Sequence, residues 1–139
     1  MIRPWFAGLL LAVSGCAVDP GNCCDSFSPA DDRGIYCLAH RDAVVRFVRL
    51  SKDPAERRAR LDWIISFLKP LESLEDSDAL DAAIAPTEQS KPEFWAQYAK
   101  QHFWAGRDTN LSLKTRGDLM KCGFRTGIHA MENDLGSGS

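Results

Sequence analysis

Five cysteines in a chain of 139 residues are the side chains with the most obvious chemistry. They are Cys16, Cys23, Cys24, Cys37 and Cys122. Cysteines this frequent in a short chain point to lipid attachment, disulfide bonds or a zinc site. Which of these applies depends on where each cysteine lies and on whether the chain is exported.

The histidines and serines form no recognisable catalytic motif. His40, His102 and His129 lie in three different predicted helices, and neither H-E-x-x-H nor Glu-x-x-His accompanies them. His102 falls on an aromatic helix face, which favours a packed, hydrogen-bonded position over a ligand role. The sequence also lacks G-x-S-x-G and a Gly-rich phosphate loop. We therefore expect that the chain is not an enzyme and that it uses no cofactor and no metal.

The N-terminus has the layout of an export signal. Arg3 is followed by nine apolar residues from Trp5 to Val13, which is too short a run to cross a hydrocarbon layer of roughly 30 Å. The run ends in Val13-Ser14-Gly15-Cys16, which resembles the lipobox of bacterial lipoproteins. This resemblance covers residues 1–16 only.

The lipobox resemblance implies that residues 1–15 are removed and that Cys16 carries the lipid. In lipoproteins an Asp after the lipidated cysteine favours the inner membrane. The residue here is Ala17, so the resemblance implies the periplasmic face of the outer membrane. The alternative is an ordinary cleaved signal, with Cys16 as one more disulfide partner.

The other four cysteines form an even set that an oxidising periplasm can pair completely. A Cys37–Cys122 bond would join the first predicted helix to the last, and pairing Cys23 or Cys24 with Cys37 or Cys122 is equally allowed. A bond between the adjacent Cys23 and Cys24 is the least favoured, given the geometry of a disulfide. Since no C-x2-C pair is present, zinc and a thiol-exchange enzyme are both disfavoured.

The rest of the chain reads as helices separated by Pro and Gly. Residues 16–28 predict the lipidated cysteine and a flexible tether, residues 29–135 a single helical domain, and residues 136–139 a linker-like tail. The predicted helices run from Ser28-Pro29 to about Leu50, from Asp53-Pro54 to Pro70, from about Ser77 to Ala85, from Ser90 to Gly106, and from Thr115 to Leu135. Proline at the first helical position and capping residues before it mark most of these starts. The predicted fold is all-α, a small bundle of about four to five antiparallel helices stapled by disulfides.

Two sets of residues are candidates for binding a partner. Trp63 and Phe67 lie four residues apart, beside the apolar face that the second helix must bury, so they are the best candidates for an exposed aromatic patch, with burial in the core as the alternative. The acidic candidates are Glu72, Glu75, Asp76, Asp78 and Asp81. Acids near helix starts and on solvated faces are the alternative explanation for this second set.

Charge is segregated along the sequence. Residues 41–60 carry seven basic and three acidic side chains, whereas residues 71–93 carry seven acidic and one basic. The acidic stretch is suited to a basic protein partner, and the basic stretch to anionic lipid headgroups near the anchor. The net charge of −2 excludes the broad basic surface of a nucleic-acid-binding protein.

These features predict a non-catalytic outer-membrane lipoprotein whose periplasmic domain binds a protein partner. The favoured function is that of an immunity or inhibitor protein against a periplasmic effector. One alternative is an accessory role in an envelope secretion or assembly complex, because pilotins of secretion secretins are similar in size and general layout. A small periplasmic enzyme is the remaining alternative.

Overall fold

The computed structural model describes residues 20–137, which are helical apart from the turns that join the helices. The five α-helices are α1 (Asp32–Val48), α2 (Pro54–Leu68), α3 (Ser77–Ile84), α4 (Pro92–Gly106) and α5 (Leu113–Ser137), with short 3-10 segments at Pro20–Ser26 and Lys69–Ser73. Residues 20–137 contain no β-strand, so the predicted all-α bundle is confirmed. In that same stretch no helix combines the length and the apolar character needed to cross a bilayer.

The helices α2 and α3 begin where the sequence predicts, and each begins with a carboxylate cap. Asp53 accepts a hydrogen bond from the Glu56 N–H at 3.1 Å, with Pro54 at the first helical position as predicted. Asp76 does the same for α3, accepting from the Ala79 N–H at 2.8 Å. Each carboxylate satisfies an amide that has no partner within the helix and opposes the positive end of the helix dipole.

The other three helices begin differently from the prediction. α1 starts at Asp32 with Asp31 as its cap, because residues 28–31 form a turn in which the Asp31 N–H donates to the Ser28 carbonyl. A Cβ atom at Gly34 would overlap that same carbonyl oxygen, so this glycine lets the turn fold back over the helix. Ser112 caps α5 by accepting from the Thr115 N–H at 3.2 Å.

Ser90 does not cap α4, contrary to the prediction. Its hydroxyl donates to the Ala85 carbonyl at 2.7 Å and accepts from the Thr87 N–H at 2.9 Å. The side chain is therefore used to close the loop between α3 and α4, and Lys91 occupies the cap position without a side-chain hydrogen bond.

The closest helix contact is between α1 and α5, and two glycines make it possible. A Cβ atom at Gly123 would overlap the Cys37 carbonyl oxygen, and one at Gly127 would lie 2.8 Å from the Arg41 carbonyl oxygen. These two glycines therefore allow α1 and α5 to pack closely. The two backbones approach at the level of the cysteines, which sets up the crosslinks.

The core lies among all five helices and is rich in aromatic rings. α2 buries Leu61, Ile64 and Leu68 as its periodicity predicts. The Phe47 and Phe94 rings, which are both fully buried, meet at 5.5 Å in an edge-to-face arrangement.

Two disulfides staple the N-terminal segment to the bundle. Cys23 is bonded to Cys122, with Cα atoms 5.8 Å apart, and Cys24 is bonded to Cys37, with Cα atoms 5.7 Å apart. Of the three connectivities left open by the sequence, this one ties the 3-10 segment to both α1 and α5. Within the predicted flexible tether of residues 16–28, Cys23 and Cys24 are thus tied to the domain. Cys16 and the signal segment lie outside the described residues.

Candidate functional site

A polar pocket of about 260 Å³, the His102 pocket, opens between α3, the C-terminal half of α4 and the start of α5. Its lining residues are Ser77, Asp78, Asp81, His102, Phe103, Gly106, Arg107 and Arg116. α3 contributes the acids and α4 contributes the histidine. Leu80 and Ile84 of α3 and Phe94 and Tyr98 of α4 are fully buried, and they anchor the two helices that carry these groups.

The hydrogen bonds in the wall of the pocket fix the state of His102. His40 Nδ1 lies 2.7 Å from the Tyr36 carbonyl oxygen, and a carbonyl can only accept, so Nδ1 carries the proton. His40 Nε2 is then the acceptor in its 2.9 Å bond with His102 Nδ1, which must donate. A neutral His102 therefore presents Nε2 as a bare lone pair.

Burial keeps both imidazoles neutral. It lowers the pKa of His40 to about 3, since the ring has no exposed surface and no anionic partner. Burial likewise lowers the pKa of His102, although the nearby Asp81 carboxylate acts in the opposite direction. His102 is only 7% exposed, so the accessible part of the ring is limited to the side that lines the pocket.

The lone pair of His102 faces another acceptor. Asp81 Oδ1 lies 3.7 Å from His102 Nε2, too far for a hydrogen bond, and accepts instead from the Tyr98 hydroxyl at 3.2 Å. Burial first, and Asp81 second, raise the pKa of Tyr98, so this phenol stays protonated and keeps donating. Two acceptors in one small pocket form a place where a ligand N–H or O–H group can be held.

The two arginines of the pocket lining make hydrogen bonds and an ion pair with neighbouring residues of the chain. Arg116 donates to the Leu111 and Thr109 carbonyls at 3.1 and 3.3 Å. Arg107 pairs with Asp108 at 3.0 Å. These bonds order the loop between α4 and α5, and the positive charges balance the two acids of the pocket.

Two exposed aromatic rings adjoin the pocket and form the aromatic rim. Phe103, which lines the pocket, is 55% exposed, and Trp104 is 54% exposed. The Arg107 guanidinium lies 5.0 Å from the Trp104 ring centre. In the described chain these are the most exposed large apolar side chains.

The predicted acidic candidates do not form one strip. Asp78 and Asp81 line the His102 pocket, whereas Asp76 caps α3. Glu72 forms an ion pair with Arg125 at 2.7 Å and Glu75 is exposed elsewhere. The structure therefore brings two of the five acids together with His102.

The predicted patch of Trp63 and Phe67, the Trp63 stack, is half-buried. The two rings stack at 4.8 Å with an interplanar angle of 10°, and Trp63 also packs on Phe47 at 5.5 Å. Their outer edges line an open apolar groove of about 610 Å³ between α2 and α3, with Pro70 and Ala83. Most of this pair's apolar surface is thus used in the core.

Sequence reasoning missed the aromatic rim and the pairing of His40 with His102. Phe103 and Trp104 follow the buried His102 in the last turn of α4, which ends at Gly106, and both are more than half exposed. One signal was present in the sequence: an amphipathic helix of this length cannot bury Phe94, Tyr98 and His102 together with the next two residues.

The cysteines offer the only cluster of three or more potential metal-binding side chains within residues 20–137. The sulfur atoms of Cys24, Cys37 and Cys122 lie within 4.8 Å of one another. All three are bonded in disulfides, which leaves no thiolate to bind an ion.

No family model matches this chain, and neither a curated protein nor a solved structure matches it.

Proposed function

We propose that this chain is an exported, lipid-anchored protein that binds a protein partner at the periplasmic face of the outer membrane. Its specific role would be that of an immunity or inhibitor protein against a periplasmic effector. The observation that carries the proposal is the His102 pocket beside the aromatic rim. No catalytic role, cofactor or nucleic acid enters this account.

The chemistry of this surface is that of a protein interface. Energetically dominant interface residues are enriched in Trp, Tyr and Arg, and lie beside pockets that lose their water on binding. Trp104 and Phe103 supply rigid apolar area, while Asp78 and Asp81 supply acceptors that fix orientation. A partner side chain that enters the pocket and donates an N–H group would find Asp81 and His102 Nε2 as its acceptors.

The rest of the fold supports a binding role. Two disulfides and the close α1–α5 contact hold the domain rigid, so little conformational entropy is lost when a partner docks. The lipobox-like segment that ends at Cys16 would place this rigid domain at the membrane.

The test has two steps, capture of the partner and assay of its activity. We expect the purified chain to capture one envelope protein and to inhibit that protein's hydrolytic activity at a one-to-one ratio. Asp78→Lys should weaken capture at least tenfold, because it inverts a charge at the pocket mouth. Glu88→Lys is the matched control, since it makes the same charge change at an exposed position outside the pocket lining.

Several outcomes would overturn the proposed role. If both lysine variants bound equally well, the pocket would not be the interface. If the partner were a structural component that moved to another location when Cys16→Ala was introduced, the pilotin-like accessory role would replace inhibition.

A small enzyme is the second candidate, and one observation favours it. The tautomer of His102 leaves Nε2 as a neutral base inside a pocket, which is the state that a general base requires. Hydrolysis of chromogenic ester, peptide or glycoside substrates by the wild type, lost in His102→Gln, would establish it. The hydroxyl of Ser77 argues against a serine nucleophile, since its hydrogen-bond contact is with Tyr36 at 3.4 Å.

A further inference from the structure

The two disulfides lie in direct contact with each other. Cys122 Sγ is 3.1 Å from Cys37 Sγ and 3.9 Å from Cys24 Sγ, although its covalent partner is Cys23. The four sulfur atoms thus come from three elements, the Pro20–Ser26 segment, α1 and α5, and meet at one point. Once Cys122 is freed from Cys23, one exchange step would form the alternative Cys37–Cys122 bond.

Access to this cluster is one-sided. Cys24, Cys37 and Cys122 are 2%, 0% and 6% exposed, whereas Cys23 is half-buried. A thiolate in solution can therefore reach Cys23 before any other sulfur. The hydroxyl of the buried Thr126 lies 3.7 Å from Cys23 Sγ, where it can donate to that sulfur when it becomes a thiolate.

We infer that the two disulfides form one thiol–disulfide exchange unit, in which Cys23 is attacked first and the Cys37–Cys122 bond is the product. The inference is independent of the proposed partner binding. Its co-reactant is a dithiol reductant, of the small-molecule or protein class.

Each step of the exchange balances. A thiolate of the dithiol attacks Cys23 Sγ, the Cys23–Cys122 bond breaks, and the electron pair leaves on Cys122. The Cys122 thiolate then attacks Cys37 Sγ across the 3.1 Å contact, and the bond from Cys37 to Cys24 breaks. Cys24 leaves as a thiolate and takes a proton from water.

The second thiol of the reductant completes the reaction. It attacks its own sulfur partner in the mixed disulfide and releases Cys23. In total the dithiol loses two electrons and becomes a disulfide, while Cys23 and Cys24 gain them and become thiols. In the final state the Cys37–Cys122 bond links α1 to α5.

The consequence is a change at the N-terminal segment alone. The residues Pro20–Ser26 lose both covalent ties to the bundle, while the helical domain keeps one crosslink. If Cys16 is the anchor, the tether between membrane and domain becomes longer by these residues.

Limited reduction of the full domain tests this inference. The oxidised protein would be treated with substoichiometric dithiothreitol, quenched in acid, alkylated, and mapped by peptide mass spectrometry. The expected two-thiol species carries label on Cys23 and Cys24 and contains a Cys37–Cys122 disulfide. Label on Cys23 and Cys122 with Cys24–Cys37 intact would overturn the inference, and so would loss of both disulfides without a two-thiol species.

Two double variants test the inference without relying on the rates of the exchange steps. Cys23→Ser with Cys24→Ser should oxidise to a Cys37–Cys122 disulfide, and two free thiols in the folded variant would contradict the inference. Cys24→Ser with Cys37→Ser removes the acceptor of the second step, so its reduction should label Cys23 and Cys122. That variant is the control which proves that a freed Cys122 is detected.

Discussion

The Trp63 stack and the aromatic rim contain similar residues in opposite surroundings. Trp63 and Phe67 lie in the C-terminal half of α2, where Phe47 of α1 and Phe94 of α4 pack against them. Phe103 and Trp104 lie in the last turn of α4, where the rings remain more than half exposed. One pair mainly stabilises the fold, and the other adjoins a polar pocket.

The comparison shows what an aromatic pair can be used for. A ring that is covered by neighbours buries its apolar surface when the chain folds, so little of that surface remains for a partner. A ring that stays exposed next to hydrogen-bond acceptors keeps its apolar area available for binding.

The largest expected effect concerns the buried histidine pair beneath the aromatic rim. The folded state keeps His40 neutral down to a pKa of about 3, whereas the unfolded chain binds a proton near the ordinary value of 6.5. The free energy of unfolding should therefore be highest above pH 6.5 and should fall by up to about 1.4 kcal/mol per pH unit toward pH 3. Urea unfolding between pH 7.5 and pH 4 measures this slope.

His40→Gln should flatten that slope, because it removes the proton uptake that destabilises the folded state in acid. His129→Gln is the control, since His129 lies on α5 away from the pair and bonds to Asn133. Equal slopes for the wild type and His40→Gln would show that the histidine pair does not limit acid stability.

The next effect compares the two tryptophans in stability. Trp63→Ala should lower the free energy of unfolding by about 2 to 3 kcal/mol, because it removes the stack on Phe67 and the contact with Phe47. Trp104→Ala should change it by less than about 0.5 kcal/mol, as expected for an exposed side chain. Thermal melts of the two variants measure this difference. A lower melting temperature for Trp104→Ala than for Trp63→Ala would contradict the comparison.

For partner binding the order should invert, so that the aromatic rim matters more than the Trp63 stack. We expect Trp104→Ala to weaken binding of the captured partner by about 2 kcal/mol, or roughly thirtyfold, as for a central aromatic interface residue. Phe67→Leu, which keeps apolar volume in the Trp63 stack, should leave the affinity within twofold. Isothermal titration of the folded variants gives both numbers, and a larger loss for Phe67→Leu would assign the interface to the groove on α2.

The smallest expected effects distinguish the role of Glu72 from that of Asp78. Glu72→Gln breaks an exposed ion pair with Arg125 and should cost less than about 1 kcal/mol of stability without altering binding. Asp78→Asn should leave stability unchanged and reduce the association rate severalfold, because a charge at the pocket mouth steers the encounter. An association rate that responds equally to both substitutions would mean that only net charge matters.

The fold could be predicted from sequence where the signals were local. Asp53-Pro54 and the apolar spacing of Leu61, Ile64 and Leu68 determined α2, and Asp76 was available to cap α3. Ser90 shows the limit, because its hydroxyl had two local uses, a helix cap and a loop closure, and tertiary packing selected the loop. The choice among disulfide connectivities likewise depended on how the Pro20–Ser26 segment packs against α1 and α5, which no local pattern encodes.

The candidate site could be predicted only in part. Asp78 and Asp81 were identified by charge, but their separation from Glu72 and Asp76 depends on partners contributed by α5 and by the α3 backbone. His40 and His102 are sixty-two positions apart in the chain, so their contact is a product of the packing of α1 against α4. Trp63 was a candidate for exposure because α2 was considered alone, without the rings of Phe47 and Phe94 that pack on it.

The most direct test of the account is site-specific photocrosslinking in the bacterial envelope, with a photoreactive phenylalanine at position 103 or at position 67. The account predicts one discrete crosslinked partner from position 103 and none from position 67, at equal expression and equal thermal stability. The same partner crosslinked from position 67 alone would contradict it, since the aromatic rim would then be a free surface and the groove on α2 the interface.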